Sequence, residues 1–132
     1  MSAQARPAVT GLDHLLLQTT DLSAAERFYI EFLGFTVRKR DATRDGRRLT
    51  VTHQGLGLTD GGPRAGGPVE HIAFEARGIF DFETRARAAG VTIELGPVWG
   101  AYGWSLYLLD PDGNKIELFG DEDLGPGEPS RS

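Results

Sequence analysis

The chain has 132 residues, 39% hydrophobic and 25% charged, with a formal net charge of −5, which predicts one soluble globular domain and leaves no room for two independent cores. It contains no cysteine, excluding a disulfide framework, thiolate metal ligands and a cysteine nucleophile. An acidic chain with no apolar run near the ~20 residues of a membrane span, and no signal-peptide core, predicts a cytoplasmic protein without nucleic-acid or membrane partners.

Residues 1–8 read as a loose leader, 9–120 as a single domain and 121–132 as a flexible acidic tail. The first strand is expected over Leu12 to Gln18 and carries His14. A helix follows, with a capping-box spacing at Ser23 and Glu26 and an apolar stripe of Ala25, Phe28, Tyr29, Phe32 and Leu33. Gly34 closes it with a residue suited to the left-handed conformation. Three strands are then expected: Thr36 to Arg40, Arg47 to His53 and Leu56 to Thr59. The cluster of Arg38, Lys39, Arg40, Arg44, Arg47 and Arg48 reads as the solvated edge of a hairpin rather than an anion site.

Residues 61–68, rich in glycine and proline, form an internal linker between module one (9–60) and module two (69–120). The second module repeats the first. Asp13-His14-Leu15-Leu16-Leu17 corresponds to Glu70-His71-Ile72-Ala73-Phe74, and Gly34-Phe35-Thr36-Val37 to Gly90-Val91-Thr92-Ile93, at nearly the same offset. Its strand Glu70 to Glu75 leads into a helix with Ile79, Phe82, Ala86 and Ala89 on one face, closed by Gly90. Strands at Val91 to Leu95, Trp104 to Asp110 and Lys115 to Phe119 complete it. The turn Asp110-Pro111-Asp112-Gly113 precedes the last strand, with Pro presetting its angle and Gly accepting positive φ.

Strand alternation places His14, His71 and Glu117 on the sides of their strands that face away from the helices. Each alone has an ordinary structural explanation, a satisfied histidine or a solvated glutamate. Together, with the two histidines at equivalent positions of a repeat, they make a 2-His-1-carboxylate ligand set for a divalent metal with open positions for substrate. His53 has no counterpart in the repeat and reads as a surface histidine at a hairpin end.

His14, Thr20-Asp21-Leu22, Phe28-Tyr29, Leu33-Gly34-Phe35, His71-Ile72-Ala73-Phe74 and the run from Tyr107 to Leu118 resemble the vicinal oxygen chelate superfamily of glyoxalases, bleomycin-resistance proteins and extradiol dioxygenases. The resemblance spans about Val9 to Gly120. It implies an α+β fold of two βαβββ modules whose sheets form a cup, helices outside, with a divalent metal (Fe(II), Mn, Zn or Ni) held by His14, His71 and Glu117. It also implies a homodimer, with modules pairing within one chain or between two. Where some relatives carry a fourth ligand, this chain has Gly57, which offers no side-chain donor.

Fosfomycin enzymes of this superfamily must hold a phosphonate dianion, which calls for Lys or Arg in the cup. Between Gly96 and Asp110 the chain has Trp99, Tyr102, Trp104 and Tyr107 and no cation. These aromatics, with Phe119 beside Glu117, suggest a substrate pocket for an apolar or aromatic oxygenated molecule, or else the core of a hairpin. Tyr107 is the expected hydrogen-bond or proton donor in the site. The resemblance thus implies a small metal-dependent enzyme of dioxygenase, isomerase or lyase type. The alternative is a non-catalytic drug- or metabolite-binding protein of the bleomycin-resistance type.

Overall fold

A computed structural model describes residues 6–62, 69–100 and 103–120. The expected acidic tail, most of the linker and Tyr102 lie outside the described residues. Module one comprises β1 (Leu15–Thr19), α1 (Leu22–Glu26) continuing as a π-helical segment (Arg27–Phe32), β2 (Val37–Ala42), β3 (Arg48–Thr52) and β4 (Leu56–Asp60). Module two comprises β5 (Ile72–Glu75), α2 (Ile79–Ala89), β6 (Ile93–Gly100), β7 (Gly103–Leu109) and β8 (Lys115–Gly120). The expected α+β fold of two βαβββ units is therefore present. Among the described residues no helix is long and apolar enough to cross a membrane.

The two sheets have the same plan, β1-β4-β3-β2 and β5-β8-β7-β6. In each, the first strand pairs parallel with the last, and the other pairs are antiparallel. A parallel pair needs a crossover connection, and each helix lies on such a crossover. The plan leaves β1 and β5 as edge strands, and these are the strands that His14 and His71 immediately precede.

The first helix does not begin with a capping box. Asp21 is the N-cap, its side chain accepting from the Ala24 amide at 3.2 Å. Glu26 is drawn away from the helix start because Arg40 donates to it at 2.9 Å and the Thr50 hydroxyl donates to its other oxygen. The expected stripe is otherwise buried, with Ala25, Phe28, Tyr29 and Leu33 in the core. Widening to a π-type turn lets the Leu33 amide reach the Phe28 carbonyl before Gly34, at φ +83°, ends the helix.

The core side of each sheet faces its helix. Leu56 and Leu58 of β4, Leu106 and Leu108 of β7, and Ile116 and Leu118 of β8 are buried with residues of both helices in one cluster. The two modules meet through this cluster. Phe32 and Phe82 lie 6.1 Å apart, Phe35 and Phe74 lie 4.9 Å apart, and the Arg85 guanidinium sits over both Phe32 and Phe82. Burying these rings contributes apolar stabilisation where the modules meet, with the aromatic geometry adding to it.

Within one chain the two sheets thus share their core sides and remain separate sheets. Their opposite faces are open. Leu16 on the first sheet and Leu95 and Val98 on the second are exposed apolar residues of those faces. Each module contributes half of a cup rather than a closed one.

Candidate metal centre

His71 and Glu117 come together on the open face of the second sheet. His71 sits one residue before β5, which runs parallel to β8 with Ala73 opposite Glu117. This register brings His71 Nε2 to 3.0 Å from Glu117 Oε1. The Ser105 hydroxyl donates to Glu117 Oε2 at 2.7 Å from the neighbouring β7. His71 Nδ1 is bonded to the Glu70 carboxylate, which is also held by Lys115 at 2.7 Å. The hydrogen bond that His71 donates to Glu70 raises the His71 pKa; burial opposes it, and the charges of Glu70 and Glu117 add to the rise.

His14 repeats half of this arrangement elsewhere. It also sits one residue before its strand, and its Nδ1 is 2.7 Å from the carboxylate of the preceding Asp13. In both modules an acidic residue therefore orients the imidazole through Nδ1 and leaves Nε2 pointing away, an arrangement typical of metal-ligating histidines. His14 lines a cavity of roughly 480 Å³ on the open face of the first sheet. His71 and Glu117 do not line that cavity, and among the described residues of one chain no three His, Asp or Glu side chains are grouped so that together they could hold a metal ion.

Exposure follows the same division. The side chains of Glu117 and His71 are 12% and 32% exposed, and that of His14 is 58% exposed. The chain offers a two-residue set, His71 and Glu117, with outer hydrogen bonds already in place, and a second imidazole, His14, on a separate, more open surface. Gly57 lies on that surface beside Leu16, in register on neighbouring strands.

The aromatic residues divide by strand parity. Tyr107 stands opposite Glu117 on β7 and its ring meets the His71 ring edge-on at 5.8 Å. Phe119 is opposite Ser105 on the same face. Trp104 has the other parity: with Leu106 and Leu108 it points to the core side, packed against Phe80 at 5.0 Å. Trp99, paired with Trp104 across β6 and β7, follows it at 5.3 Å. The two tryptophans thus build the hairpin end and not the face that holds His71 and Glu117.

Sequence reasoning passed over Ser105, Glu70 and Asp13. The acidic residues carried a readable signal, since one precedes each histidine of the repeat. Ser105 carried none, because its contact depends on the β7–β8 register. The basic cluster also divides. Arg40, Arg47 and Arg48 pair with Glu26, Asp45 and Asp60, as a solvated hairpin edge would, whereas Arg38 and Lys39 line the His14 cavity.

Two half-cups of βαβββ plan, one bearing His and Glu on adjacent parallel strands and the other an equivalent His, define a glyoxalase-type protein of duplicated modules. Residues 11–118 match the model of the Glyoxalase/Bleomycin resistance protein/Dioxygenase superfamily, and the chain belongs to that superfamily. It is 35% identical over 119 residues to virulence protein STM3117 of Salmonella typhimurium, covering 81% of each chain. It is 36% identical over 118 residues to glutathione transferase FosA of Serratia marcescens, covering 81% of this chain and 78% of that one. Among solved structures, the glyoxalase I of Leishmania major superposes with a TM-score of 0.72 at 24% identity, over 86% of this chain and 88% of that chain, and shares the fold.

Proposed function

We propose that this protein is a small divalent-metal-dependent enzyme whose metal is held by His71 and Glu117 of one copy and His14 of a second, acting on a small oxygenated substrate with an apolar body. The observation that carries the reading is the 3.0 Å approach of His71 Nε2 to Glu117 Oε1, with Glu70 and Ser105 behind the two donors. Imidazole nitrogen and carboxylate oxygen suit Fe(II), Mn, Zn or Ni, and carboxylate and hydroxyl groups in the outer shell fix ligand orientation and basicity. When bound, the metal would supply a Lewis acid for two neighbouring substrate oxygens.

Three features support a shared site. The histidines immediately precede the edge strands β1 and β5, the open faces expose Leu16, Leu95 and Val98, and the back-to-back packing of the helices turns the two histidines to different surfaces. A second copy that laid its first sheet beside the second sheet of this one would cover apolar surface and bring a second imidazole nitrogen, the third ligand atom, to the pair. Tyr107, edge-on to His71, would donate a hydrogen bond or proton to substrate.

The substrate preference follows from what surrounds the donors. Relatives include FosA and a lactoylglutathione lyase of Haemophilus influenzae, the latter 30% identical. Gly57 removes the side chain that a fourth ligand would need, and no cation lies between Gly96 and Asp110 to neutralise a dianion beside the metal. Leu95, Val98, Tyr107 and Phe119 offer apolar and aromatic contact instead.

Mixing two variants tests this reading. His14→Ala and His71→Ala each lack a ligand and are expected to bind no stoichiometric Zn or Mn when tested separately. Unfolded together and refolded as a mixture, they form mixed dimers with one intact site, and metal binding returns in part. Metal binding unchanged in either variant, or absent from the mixture despite mixed-dimer formation, would sink the shared site.

A further inference from the structure

We propose that Arg38 is the anchor for a carboxylate group of the substrate, on the module-one face of the cup. This rests on the reading of that face as part of the substrate site. The local cause is a register shift in β2. Val37 pairs with Thr52 and Lys39 with Val51, so Arg38 is one extra residue against its partner strand. Such a bulge re-aims side chains and bends the strand. Regular alternation would send neighbouring residues to opposite faces, yet Arg38 and Lys39 both line the cavity that holds His14.

Module two carries the same bulge with different residues. Ile93 pairs with Leu108 and Leu95 with Tyr107, leaving Glu94 as the extra residue. Glu94 there is paired with Lys115 at 3.2 Å. The bulge is thus a property of the repeated unit, and what sets the first module apart is the basic pair placed on it.

The two cations are not equivalent. Lys39 is tied to Asp41 at 3.1 Å, and both line the cavity. Among the described residues Arg38 makes no hydrogen bond or ion pair, and Asp13, on which it acts by charge, already accepts from His14. The cavity therefore offers one uncommitted guanidinium beside the apolar side chains of Leu16, Leu49 and Val51. A planar, two-pronged donor of single charge matches a carboxylate, whereas a phosphonate dianion would need a second free cation. About 480 Å³ suffices for a small molecule with an aromatic or branched body.

The test uses the full chain freed of metal by chelation, so that no ligand can be held through a metal, and follows binding of phenylacetate, phenylacetamide and phenylphosphonate by calorimetry or ligand-observed NMR. Saturable binding of phenylacetate is expected, weakened about tenfold or more in Arg38→Gln and partly restored in Arg38→Lys, the loss typical of one charge-assisted pair. Phenylacetamide should bind weakly and equally to all three proteins. The proposal is overturned if acid and amide bind alike, if Arg38→Gln binds phenylacetate as the parent does, if no probe saturates, or if phenylphosphonate binds more tightly than phenylacetate. Zn content of Arg38→Gln, measured separately, should equal that of the parent. Failure of the shared metal site would leave the chelated-protein result standing.

Discussion

The Tyr29 hydroxyl donates a 2.6 Å hydrogen bond to the buried carboxylate of Asp110, joining the first helix to the turn before the last strand. Asp110 is already the centre of that turn, accepting from the amides of Asp112 and Asn114 and from the Asn114 side chain. Asp112 in turn accepts from the Thr20 amide and hydroxyl. The Asp-Pro-Asp-Gly-Asn run is therefore a mooring point between modules, distinct in role from Glu117, the proposed ligand that follows it. Burial and the Asp110 charge push the Tyr29 hydroxyl well above its usual pKa, so it remains a donor.

Tyr29→Phe should cost about 1–2 kcal/mol in chemical denaturation, since it removes one donor from a buried carboxylate that keeps others. The second module should lose amide-exchange protection in the Asp110 turn together with the first helix. An unchanged denaturation midpoint would show that the mooring adds nothing to stability.

Glu26 makes stability depend on acid. Burial opposes its charged form, but hydrogen bonds from Arg40 and Thr50 and the Arg40 charge outweigh this, and its pKa lies below the ordinary 4.5. A carboxyl depressed in the folded state contributes stability that is present above the unfolded pKa and is lost as pH falls through the folded one. Glu26→Gln should therefore lower the melting temperature at pH 7 while matching the parent more closely well below pH 4.5, where both side chains are neutral. A parallel offset at every pH would contradict this.

Ser105 and Glu117 should separate by effect. Glu117→Gln keeps the shape and can still accept from Ser105, so the fold should survive while metal affinity falls steeply through loss of the anionic ligand. Ser105→Ala leaves the ligands in place and removes only the bond to Oε2, and should weaken Zn or Mn binding about 10–100-fold. Equal affinity for parent and Ser105→Ala, measured by competition with a chromogenic chelator, would show that Ser105 does not orient the ligand.

Much of the architecture was legible in the chain. The Asp13-His14 and Glu70-His71 correspondence exposed the duplication, and all eight strands appear close to their expected places because alternation and turn chemistry are local properties. The same local rule placed His14, His71 and Glu117 on faces turned from the helices. It gives no guide at Arg38, where a bulge interrupts alternation, and it left the tryptophans ambiguous because either face of a hairpin can hold an aromatic.

The repeat, the helix stripes and the donor types follow from residue identity and from periods of two and 3.6. Which of those groups meet depends on contacts between distant parts of the chain. Parallel pairing of β5 with β8 joins His71 to Glu117, and back-to-back packing of the aromatic helix faces sends His14 to a separate open surface. The pairing of strands far apart in the chain and the packing of the modules are set by long-range burial rather than by local pattern.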